Sequence, residues 1–128
     1  MNFYWFLFFN IFINWKRKTK SPFSWIIKKH SEHRVINNVV LSETLNGIRR
    51  YERRVNLKDI YEIITQVFDI DYLKKEDYSE SVHIYHYYNG AINYSDCLIL
   101  KNMQDRNINR ILSYDDDFDK INGIPRIY

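Results

Sequence analysis

The stretch from Ile92 to Phe118 most constrains the fold, because it joins a predicted helix to a predicted strand and places acidic side chains around both. Ser95 is a suitable N-cap for the helix, and Asp96 falls in the first turn, where the helix dipole favours an anion. Apolar side chains then follow at helical spacing and predict a buried stripe: Cys97, Leu98, Leu100 and Met103. We therefore expect a helix of about three turns that presents Asp96 at its start.

A short buried strand is predicted at Ile111 to Ser113, and Asp115 and Asp117 follow it. In α/β sheets, ligands collect at the carboxyl ends of the strands. Carboxylates gathered at such an edge are costly to hold together unless a cation binds them or one of them takes a proton. The pattern therefore predicts an acidic cation site on an α/β sheet, built from Asp96 and the pair Asp115 and Asp117.

The chain length and composition indicate one domain covering residues 1–128, with a sizeable core. Cys97 is the single cysteine and cannot form an internal disulfide, which indicates an intracellular, cytoplasmic protein. Residues 1–64 carry 12 Lys and Arg against 5 Asp and Glu, whereas residues 65–128 carry 7 against 11. The basic half is suited to a polyanion, although a solvated basic face would produce the same bias.

The first thirteen residues are rich in aromatic side chains and contain no charged side chain, and a basic cluster from Lys16 to Lys20 follows them. This pattern has two interpretations, a membrane anchor or a buried central strand at residues 3–9. The run is shorter than the roughly 20 residues of a spanning helix, and Asn2 and Asn10 interrupt it. We therefore favour the strand and do not expect the protein to attach to a membrane.

Hydrophobic periodicity predicts the remaining elements. A second buried strand is expected at Arg34 to Leu41, followed by a helix that Ser42 caps and that carries Glu43 in its first turn. Further helices are predicted at Pro22 to His30, at Leu57 to Phe68 and at Ser79 to Tyr88, where Ser79 is the expected cap, with an edge strand at Phe68 to Leu73.

Three other groups of side chains have both ordinary and functional interpretations. His83 and His86 share a helix face, but without a partner at matching spacing they indicate surface or packing histidines. The tyrosines at positions 85, 87 and 88 are suited to stacking on bases, or to a core or dimer interface. The basic cluster Arg49, Arg50, Arg53 and Arg54 is suited to solvent and ion pairs, or to contact with RNA phosphates or an acidic segment of a partner protein.

Several of these segments resemble the PIN-domain ribonucleases, in particular the VapC-like toxins of toxin–antitoxin pairs. The resemblance rests on Tyr94-Ser95-Asp96, on Ile111 to Phe118, on Ile121 to Arg126, and on the strand, glutamate and glycine-containing helix around Glu43. It implies a three-layer α/β/α domain. The central parallel sheet would place Val35 to Leu41, residues 3–9 and Ile111 to Ser113 near its centre.

The resemblance also implies a function. Glu43, Asp96, Asp115 and Asp117 would be the metal ligands and catalytic residues of a metal-dependent endoribonuclease. Ligation by oxygen atoms alone suits Mg²⁺ or Mn²⁺, which retain several waters and bridge to a substrate phosphate. The substrate would be RNA, and the expected protein partners are a small antitoxin and a second copy of the chain.

One position departs from the family pattern. Phe8 stands where the resemblance places the family's first metal-binding Asp, and a phenyl ring cannot ligate a cation. The alternative function is therefore a catalytically impaired PIN domain that binds an antitoxin or RNA without cleaving it.

Overall fold

The computed structural model describes residues 3–6, 33–51, 53–112 and 119–121. These ranges contain four strands, β1 (Phe3–Phe6), β2 (His33–Asn37), β3 (Asp69–Asp71) and β4 (Ile111–Leu112). They also contain four α-helices, α1 (Asn38–Tyr51), α2 (Leu57–Val67), α3 (Lys75–Tyr87) and α4 (Tyr94–Asp105). The strands form one parallel sheet in the order β3-β2-β1-β4. The predicted α/β class with a parallel sheet is thus confirmed.

The register aligns all four strands. Trp5 pairs with Val35 and with Ile111, and Val35 pairs in turn with Asp69. Within the described ranges, β1 and β2 are the central strands. The strand at Ile111 to Ser113 was expected near the centre of the sheet, but β4 lies at one end of these four strands. Phe3–Phe6 confirms the first part of the strand predicted at residues 3–9, whereas residues 7–9, the helix predicted at Pro22 to His30, and Ser113 lie outside the described residues.

The strand predicted at Arg34 to Leu41 is wrong in its second half. The Asn37 side chain ends β2, because its Oδ1 accepts a hydrogen bond from the backbone N–H of Val40 at 2.8 Å and so caps α1. The apolar residues from Val39 to Leu41 are therefore helical. Ser42 lies inside the helix and is not its cap, and Glu43 falls in the second turn instead of the first.

Two other predicted serine caps are also wrong. The helix expected to begin at Ser79 begins at Lys75, where the Asp77 carboxylate accepts from the Lys74 N–H at 2.8 Å. Asn93, not Ser95, caps α4. By contrast, the helix expected at Leu57 to Phe68 and the edge strand within Phe68 to Leu73 are confirmed as α2 and β3.

The core lies between the sheet and its helices. Its fully buried large side chains are Ile36, Ile48, Ile64, Ile92, Ile99, Leu100 and Met103. The Lys101 ammonium joins α3 to α4, since it contacts Glu80 and Asp105 at 2.6 Å each. Hydrogen bonds to Asp105 and then to Glu80 raise the pKa of Lys101. The helices of the described ranges are all too short or too polar to cross a lipid bilayer.

A half-buried ion pair fixes the end of α4 to the carboxyl edge of β3. Arg106 Nε lies 3.0 Å from Asp71 Oδ2, and burial raises the pKa of Asp71 in spite of the attraction of Arg106. Asp77 and Asp105 raise the pKa of Asp71 further. The charge of Asp71 thus costs free energy in the folded state, and Arg106 reduces that cost.

We expect Arg106→Gln to lower the free energy of unfolding by about 1 kcal/mol at pH 7 and by less at pH 4.5. Without Arg106 the folded-state pKa of Asp71 rises further above its unfolded value of about 3.9. The folded variant then binds more protons than the unfolded chain, so its stability falls as pH rises through the folded-state pKa. Urea denaturation at the two pH values measures this, with Arg54→Gln as the control for charge. An equal loss at both pH values would show that Arg106 acts through packing.

Candidate functional site

The site lies where side chains from the end of β2 and from α1 contact α4. At one end of this contact, Asn37 Nδ2 donates to Asn102 Oδ1 at 3.1 Å, and both side chains are buried. At the other end, the Ser95 hydroxyl donates to Glu43 Oε1 at 3.4 Å. From the first contact to the second, residue numbers increase from Asn37 at the end of β2 to Glu43 in α1. Over the same distance they decrease along α4, from Asn102 to Ser95. The two helices therefore run antiparallel, and their contact brings Glu43 beside the first turn of α4.

Asp96 lies in that first turn, as predicted. Its backbone N–H donates to Asn93 Oδ1 at 2.9 Å, so the cap and the acid belong to the same turn. The Asp96 side chain is only 4% exposed. A carboxylate buried to this extent is costly without compensating charge or hydrogen bonds, and the helix N-terminus supplies part of that compensation.

Two of the four predicted site residues, Glu43 and Asp96, lie within the described residues. Glu43 is exposed, and it contacts Ser95, which is the residue before Asp96 in α4. Asp115 and Asp117 lie outside the described residues, as does Phe8. Their part in the site stays a prediction.

The chemistry of these donors suits a hard divalent cation. Glu43, Asp96 and Ser95 offer only oxygen atoms, and Mg²⁺ is commonly held by one or two carboxylates with waters in its other positions. Among the residues that the structure describes, no three His, Cys, Asp or Glu side chains form a metal-binding group. The predicted set of metal ligands therefore stays a prediction, of which the described residues include the two carboxylates of Glu43 and Asp96.

The neighbours of Asp96 in the chain include a buried thiol and a hydrogen-bonded phenol. Cys97 is fully buried, and burial followed by the charge of Asp96 raises the pKa of its thiol. The Tyr94 hydroxyl donates to the backbone oxygen of Tyr78 at 2.5 Å, and burial raises the pKa of Tyr94. These neutral neighbours hold the first turn of α4 in place without adding charge beside the acids.

Two other predicted groups lie on the surface. His83 and His86 are exposed on α3, in agreement with their interpretation as ordinary surface histidines. The four arginines of the basic cluster are also exposed, and Arg49 Nη1 donates to the backbone oxygen of Arg53. The cluster lies at the end of α1 opposite Asn37, beyond Glu43.

Sequence reasoning missed the asparagines that position the site. Asn93 caps α4, and the pair of Asn37 and Asn102 fixes α1 against α4. An Asn at the end of a predicted strand or just before a predicted helix is a signal for a cap, and it was available at Asn37 and Asn93. No local signal identifies Asn102, because its partner is distant in sequence.

Comparisons with a family model and with solved structures agree on the fold of this chain. The family model described as PIN domain matches residues 10–124. A toxin–antitoxin complex from Klebsiella pneumoniae superposes with a TM-score of 0.70 at 16% identity, covering 100% of this chain and 97% of the other. The sarcin–ricin loop cleaving toxin VapC20 of Mycobacterium tuberculosis gives 0.70 at 13% identity, covering 96% and 97%. A protein from Pyrobaculum aerophilum gives 0.67 at 11% identity, covering 98% and 89%. No curated protein sequence matches the chain significantly.

Proposed function

The chain belongs to the PIN-domain family, and on that premise we propose that it is a metal-dependent endoribonuclease, the toxin of a toxin–antitoxin pair. The observation that carries this proposal is the contact between Glu43 and Ser95, which brings one carboxylate to the turn that holds the buried Asp96. Two of the structurally similar proteins are a toxin–antitoxin complex and a toxin that cleaves the sarcin–ricin loop. Their similarity supports the same class of activity here.

In this proposal Glu43 and Asp96 hold Mg²⁺ or Mn²⁺, with Asp115 and Asp117 as further ligands. The bound cation supplies Lewis-acid stabilisation of the negative charge that develops on a phosphate during hydrolysis. Ser95 fixes the orientation of Glu43 through its hydrogen bond, and Asn93 fixes the backbone at Asp96. No side chain acts as a nucleophile, since the attacking group is water.

The exposed arginines are suited to partners that carry negative charge. Four guanidinium groups within six residues attract the phosphates of RNA or the acidic side chains of an antitoxin. We propose that the basic cluster contacts one of these partners. A small antitoxin and a second copy of this chain complete the proposed assembly, and a cytoplasmic location goes with it.

The proposed activity is tested by incubating the purified chain with a mixed pool of structured RNAs in Mg²⁺ or Mn²⁺. We expect internal cleavage that EDTA abolishes and added metal restores, because the carboxylates act through the cation. Cleavage that persists in EDTA would contradict the metal-dependent mechanism. The products are read by gel electrophoresis and by sequencing of their ends.

The alternative function, an impaired PIN domain that binds without cleaving, is favoured by Phe8. The same assay therefore includes Phe8→Asp. Silence of the natural chain with cleavage by Phe8→Asp would establish the impaired form, and binding would be its function. Equal cleavage by both chains would show that Glu43, Asp96 and the other acids are sufficient.

A further inference from the structure

A cleft of about 590 Å³ opens beside the candidate metal centre, between α3 and the start of α4. Its walls are lined by Val82, Tyr85, Gly90, Ala91, Asn93 and Tyr94. The last two of these directly precede Ser95 and Asp96 in the chain. Asn93 Oδ1 also accepts a hydrogen bond from the Asp96 N–H, so the cleft and Asp96 share the first turn of α4.

Two tyrosine rings in this cleft are held in place by contacts visible in the structure. Tyr94 is fixed by its hydrogen bond to the backbone of Tyr78. Tyr85 lies against Gly90, which has a φ of 73°, and a Cβ at Gly90 would lie 3.0 Å from the Tyr85 hydroxyl. His86 packs edge-on to Tyr85, with ring centroids 6.2 Å apart. Aromatic rings that are already ordered lose little conformational entropy when they bind a planar partner.

The rim of the cleft carries a positive charge. The Lys120 ammonium donates to the backbone oxygen of Ala91 at 3.2 Å, and Lys120 is exposed. A cleft with ordered aromatic walls, an amide at Asn93 and a cation at its edge suits a flat heterocycle joined to a phosphate. The exposed fraction of the Tyr85 side chain, 38%, leaves ring surface open for such a contact.

We propose that this cleft binds one unpaired base of the RNA, adjacent to the phosphate that is cleaved, with Tyr85 as its stacking surface. The proposal rests on the proposed function, because it takes RNA as the substrate. It assigns to Tyr85 a role in selecting unpaired over paired substrate positions, since a base must leave the helix to enter the cleft. The cleavage site should therefore lie in a loop, a bulge or a single strand.

The test is equilibrium binding of a fluorescein-labelled, random-sequence 12-nucleotide RNA, followed by fluorescence anisotropy in Ca²⁺, with gels to verify that the RNA stays intact. We expect Tyr85→Ala to weaken binding roughly 5- to 100-fold, as is typical of a lost stacking contact. Tyr85→Phe keeps the ring and should bind like the natural chain. Tyr61→Ala removes a tyrosine of similar exposure, 44%, from α2 and should have no effect.

A second probe with the same backbone but abasic residues separates stacking from charge. We expect the natural chain to bind it as weakly as Tyr85→Ala binds the intact RNA, and Tyr85→Ala to cause no further loss. Equal binding of both probes by the natural chain, or no binding of either, would overturn the proposal. The proposal would also be overturned if sedimentation showed that Tyr85→Ala binds weakly because its oligomeric state has changed. Base-dependent binding without cleavage in Mg²⁺ would support the cleft while removing the proposed nuclease activity.

Discussion

Asp96→Asn is expected to reduce RNA cleavage at least about 100-fold at saturating Mg²⁺. Altering a group that merely supports a metal ligand typically costs 10- to 100-fold, so loss of a ligand should cost no less. The amide is nearly isosteric, and the backbone cap by Asn93 does not depend on the Asp96 side chain. The variant should therefore stay folded while it loses cation affinity. Single-turnover cleavage and Mn²⁺ titration by calorimetry measure the two effects.

Asp105→Asn is the matched control, because it makes the same change of charge in the last turn of the same helix. Asp105 pairs with Lys101, and Lys101 keeps Glu80 as a second partner, so we expect the substitution to cost little stability. If both Asp105→Asn and Asp96→Asn cleave RNA at the natural rate, the assignment of Asp96 as a metal ligand is contradicted. Loss of cleavage in both variants would point to a general electrostatic effect.

Asn37→Ala is expected to lower the free energy of unfolding by about 2–4 kcal/mol. The change removes the acceptor that caps α1, which costs about 1 kcal/mol. It also deprives Asn102 Oδ1 of its buried donor, and an unsatisfied buried polar group costs about 1–3 kcal/mol more. Urea denaturation followed by circular dichroism measures the loss.

Two further substitutions separate the parts of this effect. Asn46→Ala replaces an exposed asparagine in the same helix, and we expect it to be neutral or slightly stabilising because Ala is the better helix former. Asn37→Asp keeps the capping acceptor, and rotation of the Asn102 amide would provide a donor to the new carboxylate. We therefore expect Asn37→Asp to lose less stability than Asn37→Ala. A loss below 1 kcal/mol in Asn37→Ala would show that the buried amide pair does not fix α1 against α4.

Strong periodicity made some elements predictable and mixed signals made others difficult. The α2 helix was predicted to within one residue, because its apolar side chains recur at helical spacing and Ile64 among them is buried in the core. The end of β2 was predicted wrongly, because Val39 and Val40 have side chains that are common in strands although they lie in a helix. A single hydrogen bond from the Val40 N–H to the Asn37 side chain outweighs that local preference. Tertiary burial of Val40 then stabilises the helical position.

The sequence by itself determined the α/β class and the location of Asp96 in the first turn of a helix. Both follow from local patterns, namely hydrophobic spacing and helix-end chemistry, which act over a few residues. Only the tertiary structure decided that Glu43 lies beside Ser95 and that Asn37 meets Asn102, pairs separated by 52 and 65 residues. Such contacts depend on how two helices pack, and no local preference encodes a distance between residues so far apart in the chain.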